Sequence, residues 1–138
     1  APMAQALRRI GVASVMDKSV SQMDRIITVE AARTALEANQ RWIMAFADNG
    51  QASLLPAADL AIHLNNLKSD NADIDLLSLP AMREDSTRVT ILETLQEAHE
   101  AMEATGADLL YVTGAHGKSA NRICGVITRE HIERHYKL

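Results

Sequence analysis

One order of elements is presented twice in this sequence, over Asp24 to Leu64 and again over Thr87 to Tyr136. Each stretch predicts a short apolar strand, an amphipathic helix, two strands around a turn and a closing helix. A repeat of this length is neither a catalytic motif nor a short solenoid unit, so the expectation is a tandem, pseudo-twofold module with a cleft between its halves. At 138 residues the chain suffices for one compact domain or two small units that share a core, because very small isolated domains bury too little surface to be stable. A paired module of this kind points to sensing before chemistry.

In the first half, Arg25-Ile26-Ile27 predicts a strand, and Val29, Ala32 and Leu36 keep helical spacing through Thr28 to Gln40. Trp42 to Phe46 predicts a buried strand that ends at Asp48-Asn49-Gly50, residue types that tolerate positive φ. Ala52 to Leu55 returns, and Pro56 suits the first turn of a helix carrying Leu60, Leu64 and Leu67 on one face. In the second half the strand is Val89-Thr90-Ile91, and Leu92, Leu95, Ala98 and Met102 face inward on a helix ending near Gly106. Leu109 to Val112 is the matching strand, Thr113 to Asn121 a longer, mobile hairpin, and Arg122 to Ile127 the return. Thr128 then caps a last helix with Ile132 and Tyr136 on one face. Asn65 to Asp75 reads as a polar connector and Asp73 to Pro80 as an extended segment. The class is therefore α/β or α+β, with two β-α-β-β-α repeats packed through their small sheets.

Composition removes several functions. Acidic residues outnumber basic ones, 18 to 14, and aromatics make up 3%. The charge has the wrong sign for a phosphate-backbone binder and stacking platforms are scarce, so no nucleic-acid partner is expected. No apolar run approaches the length of a membrane helix, so direct membrane insertion is not expected of this segment. Cys124, the single cysteine, lies in the apolar run Ile123 to Ile127 and reads as a buried structural thiol. His131 and His135 stand four apart, but Glu133 lies outside the zinc-protease pattern and a solvated helix face is the simpler reading. Gly114 to Ser119 lacks the first glycine of a phosphate loop, and Gly-x-Ser-x-Gly is absent. No catalytic residue, metal site or required cofactor is expected, and an enzyme is the least favoured class.

The two passes, together with Val15-Met16 at the entry and the junctions Ser53 to Asp59 and Gly125 to His131, resemble the tandem cystathionine-β-synthase (CBS) domain pair, or Bateman module, over essentially the whole chain. The family's junction is glycine, two apolar residues, threonine or serine, two variable residues and aspartate. A narrower resemblance lies in Leu7 to Val12 leading to Val15-Met16, in Arg41-Trp42-Ile43, in Asp75 to Ala81 and in Gly125 to Glu130. These look like the cytoplasmic tail of bacterial ClC-type chloride channels and proton/chloride antiporters. The resemblance implies a noncatalytic regulatory domain at the cytoplasmic face of the cell membrane, an upstream membrane transport domain and a homodimer. It implies a lead-in over 1–11, one repeat over 12–67, a connector over 68–80 and a second repeat over 81–138.

It also implies a regulatory ligand, AMP, ADP, ATP or adenosine, held by the junctions: the aspartate accepts from ribose hydroxyls, while the threonine and helix amides favour phosphate. Here Asp59 and Thr128 are the primary candidates, with Arg129 and His131 secondary. Each junction departs from the pattern: Pro56 replaces the first threonine, Ser53 the first glycine and His131 the second aspartate. The simpler reading is that Asp59 decorates one helix N-terminus and Thr128 caps the other. Helix faces around Leu60, Leu64, Ile132 and Tyr136 would supply the dimer contact, and a CBS module of a soluble enzyme, a stand-alone nucleotide sensor or a ligand-free dimerisation domain are the alternatives.

Overall fold

Backbone pairing ties the segment before the first repeat to the second repeat. In the computed structural model, which describes residues 6–135, a one-turn helix α1 (Val12–Val15) is flanked by bonds into that region. Leu95 N donates to Ile10 O (2.9 Å), Val12 N to Glu93 O (2.9 Å), and Asp17 and Val126 exchange two bonds of 2.9 and 2.8 Å. Gly125 permits the last approach, since a Cβ there would stand 2.7 Å from Met16 Sδ and 2.9 Å from Asp17 O. The chain accordingly divides into residues 19–85 and a second unit that joins the lead-in up to Lys18 to Ser86 onward. This division differs from the boundaries read in the sequence: 12–18 group with the second repeat, and 68–85, the connector and the start of the predicted second repeat, group with the first.

Residues 19–85 contain β1 (Val20–Gln22), β2 (Ile26–Ile27), α2 (Val29–Glu37), β3 (Trp42–Phe46), β4 (Ala52–Pro56), α3 (Ala57–Asn65) and β5 (Ile74–Asp75). β1 runs parallel to β3, β3 antiparallel to β4, and β2 pairs antiparallel with β5. Thr28 caps α2 by accepting from Ala31 N at 3.0 Å. Ile27, Val29, Ala32, Ile43, Leu55, Leu60 and Leu76 close the core, each large side chain contributing about 1.5–3 kcal/mol by leaving water. β5 is latched by Asp75, which accepts from Arg25 Nε and Nη2 at 3.2 Å each, Leu77 N at 2.9 Å and the Ser78 hydroxyl at 3.0 Å. Beyond Asp75 the segment to Pro80 turns, so the extended stretch is shorter than predicted.

The second unit carries β6 (Glu84–Thr90) from Ser86 onward, α4 (Leu95–Thr105), β7 (Leu109–Thr113), a 3-10 turn (Gly117–Asn121), β8 (Ile123–Thr128) and α5 (Arg129–Glu133). β6 is parallel to β7, and β7 antiparallel to β8 with a register shift at Val112/Thr113. Leu7, Val12, Val89, Leu95, Ala98, Met102, Leu110, Ile127 and Ile132 form its core. The mixed α/β class is as predicted; the strand parallel to the central one is β6 in this unit but β1 in the other, where the predicted strand at Ile26–Ile27 pairs with β5 instead.

Three local expectations are corrected. Leu92 precedes α4 and is 67% exposed, because the reciprocal cap of Thr94 and Glu97 starts the helix after it. Cys124 is half-buried, its thiol 3.6 Å from Arg122 O, since the outer end of β8 lies beyond the buried run Gly125–Ile127. Pro56 closes β4 and stands at the N-cap of α3, one residue before its first turn. The Thr113–Asn121 hairpin is built on the 3-10 turn, with the Ser119 hydroxyl donating to His116 O at 2.6 Å. Tyr136 lies outside the described residues.

Candidate functional site: the two strand-to-helix junctions

The same backbone arrangement appears at both junctions. Trp42 pairs with Pro56 as Leu109 pairs with Thr128. Ala57 N donates to Arg41 O at 2.9 Å, and Arg129 N donates to Asp108 O at 3.0 Å. Three residues before each central strand the chain takes positive φ, 58° at Asn39 and 74° at Gly106, conformations that asparagine and glycine accept at low cost. Ala57 therefore corresponds to Arg129, Arg41 to Asp108, Leu36 to Glu103 and Asp59 to His131.

At the first junction this frame borders an open, solvent-facing cavity of about 560 Å³, lined by Ser19, Leu36, Asn39–Arg41, Pro56–Ala58 and Ala61. Alanines at the start of α3 leave the space open. Its volume falls within the range of small-ligand and cofactor sites. Pro56 gives α3 no side-chain cap, and the start of this nine-residue helix, which carries Asp59 in its first turn, borders this region. Arg41 is exposed at the rim, and its backbone N donates to the Ser19 hydroxyl at 2.7 Å. Asp59 lies outside this lining; its Oδ2 accepts from Met82 N at 2.8 Å and docks that segment on α3.

At the second junction the corresponding residues bond to one another. Thr128 Oγ1 accepts from His131 N at 3.1 Å, and His131 Nδ1 accepts from Thr128 N at 3.0 Å. The predicted hydroxyl cap is thus present, and the histidine completes it in the position where the family pattern places aspartate. Arg129 Nε donates to Asp108 Oδ1 at 2.7 Å and Nη1 to Glu103 Oε1 at 3.0 Å. Hydrogen bonds to Asp108, then to Glu103, hold the guanidinium above its usual pKa. His99 Nε2 lies 3.5 Å from the same Glu103 oxygen. Among the sequence-predicted residues the structure brings together Thr128, Arg129 and His131, each held by partners of its own unit, and places Asp59 in the other unit.

Sequence reasoning missed the lining itself. Ala57-Ala58 and Ala61 on one helix turn, and Asn39 before an apolar strand, are the signals that could have revealed it. Among the described residues no group of three or more His, Cys, Asp and Glu is placed to hold a metal, and no helix is long and apolar enough to cross a membrane.

No protein-family model matches the sequence, and no curated protein is similar to it. Solved structures are. A hemolysin-like protein containing a CBS domain from Oenococcus oeni PSU shares 18% identity, with 98% of this chain and 96% of that one covered at a TM-score of 0.56. The fold is that of a CBS-domain pair. The CBS domain of a bacterial CNNM/CorC family Mg2+ transporter in complex with ATP gives 12% identity, coverages of 98% and 94%, and a TM-score of 0.58. The cytosolic domain of the Mg2+ channel MgtE in complex with ATP gives 16%, 94% and 51%, with 0.52. CBS-pair architecture is thereby reached from backbone geometry alone, independently of the junction residues that differ from the family pattern.

Proposed function

We propose that this chain is a noncatalytic regulatory CBS-pair domain of a membrane ion-transport protein, acting at the cytoplasmic face as a homodimer and responding to an adenine nucleotide. The observation that carries the ligand is the first-junction cavity, of mononucleotide size, bordered by an uncapped helix N-terminus and Arg41. Phosphate is attracted by both. Support for the class comes from structurally similar CBS domains, two of which hold ATP. Leu7 to Met16, Arg41 to Ile43 and Asp75 to Ala81 favour a chloride channel or proton/chloride antiporter as the attached transporter, whereas similar folds in Mg2+ transporters favour a cation carrier. Regulation would proceed by a shift between two arrangements, driven only by the ligand's differential affinity for them.

A ligand-free dimerisation domain is the second reading, favoured by the internal bonding of Thr128, Arg129 and His131. Thermal unfolding against millimolar AMP, ADP, ATP and adenosine separates the two. Ligand at 100 times its dissociation constant adds about 2.7 kcal/mol of stability. A saturable shift that Arg41→Ala weakens and Ala61→Phe removes supports the sensor; cooperative unfolding with no shift from any of the four compounds supports assembly alone.

A further inference from the structure

We infer that the second junction carries its own built-in occupant, the Arg129 guanidinium bridging Asp108 and Glu103, and that the chain therefore takes one nucleotide, at the first junction only. The inference rests on the reading of the first cavity as a nucleotide site. The two junctions share their backbone bonds, 2.9 Å from Ala57 N to Arg41 O and 3.0 Å from Arg129 N to Asp108 O. In the first, Leu36, Arg41 and Ala57 line open space. In the second, the side chains at those three places are Glu103, Asp108 and Arg129, joined by bonds of 3.0 and 2.7 Å.

The bridge thus links the end of α4, the loop before β7 and the start of α5, the elements whose counterparts wall the first cavity. Its charges are also arranged against an anion. Arg129 is satisfied by two carboxylates, and those carboxylates present negative charge where the first junction presents Arg41. A phosphate entering there would have to displace both carboxylates from the guanidinium and then remain beside them.

The test is binding stoichiometry by calorimetry with AMP, on the wild type and on the triple variant Glu103→Leu, Asp108→Arg, Arg129→Ala, which copies the first junction's residues into the second. One AMP per wild-type chain and two per variant chain are expected. Two per wild-type chain, or an equal number for both proteins, overturns the inference. A wild type that binds none beside a variant that binds one would keep the blocked second junction but sink the reading of the first cavity, and with it the stoichiometry of one. Should the triple variant fail to unfold cooperatively, Ala57→Arg with Arg41→Asp installs the bridge at the first junction instead. Loss of all AMP binding there is expected where Arg41→Asp alone only weakens it, and equal binding by the single and double variants would overturn the proposal.

Discussion

At the first junction three alanines and a helix without a side-chain cap border about 560 Å³ of open space, whereas at the second a threonine–histidine cap and an arginine with two carboxylates bond among themselves on the same backbone frame. The strands, the positive-φ residue and the amide bond into the preceding loop are alike in both. A repeated backbone thus preserves the fold while the side chains on it decide, one junction at a time, whether space is left open or crossed by hydrogen bonds.

Equivalence of the two units is exposed most severely by their cores. Ile43 and Leu110 occupy matching positions on the central strands and are 2% and 0% exposed. Ile43→Ala and Leu110→Ala should each cost about 2–5 kcal/mol, measured by urea unfolding. A near-zero cost for either would show that one unit lacks a packed core of its own.

Next in size is the contrast between Gly125 and Ser53, which face Val112 and Ala45 at the same register. Gly125→Val must push Met16 and Asp17 away and should destabilise by about 1–3 kcal/mol. Ser53→Ala removes one 3.3 Å bond to Asp85 and should cost about 1 kcal/mol or less. Equal costs would mean that the lead-in does not press on β8.

The caps give a smaller difference. Thr128→Ala removes the hydroxyl that accepts from His131 N and should cost about 1 kcal/mol in thermal unfolding. Pro56→Ala removes no side-chain cap and should change stability by less than half of that. If Thr128→Ala also lowered AMP affinity, the second junction would be a binding surface after all.

The smallest effect concerns acid stability. Hydrogen bonding to Arg25, aided by Leu77 N and the Ser78 hydroxyl, holds the Asp75 carboxyl below its usual pKa against the opposing effect of burial. Between the lowered folded value and the ordinary one of about 3.9, the unfolded chain binds more protons. Stability from this latch is therefore complete above the ordinary value and is lost as pH falls through the folded one. Asp75→Asn should lower the melting temperature at neutral pH and flatten its decline in acid; an unchanged acid limb would show that the latch carries no linkage.

Much of the architecture was readable in the residues, because strand and helix periodicity are local. Trp42 to Phe46, the turn at Asp48 to Gly50 and the Thr128 cap are each signalled within a few positions. Leu92 was misplaced because helical spacing extends past a start that the Thr94–Glu97 cap decides. Cys124 was misjudged because an apolar run does not say where burial along a strand begins. The junctions were found by their motif, yet their difference was not legible. Glu103, Asp108 and Arg129 meet only when α4, β7 and α5 fold together, and an open cavity beside Ala57, Ala58 and Ala61 is marked in sequence only by small residues. Lead-in pairing with β8 likewise depends on Gly125 and Asp17, residues more than a hundred positions apart.

The most direct test of the account is amide NMR of the isotope-labelled chain titrated with AMP. Saturable shifts are predicted at Ser19, Asn39 to Arg41 and Ala57 to Ala61, with Asp108 and Thr128 to Glu133 unmoved. Saturable shifts centred on Asp108 and Thr128 to Glu133, or no shifts at either junction, would contradict it.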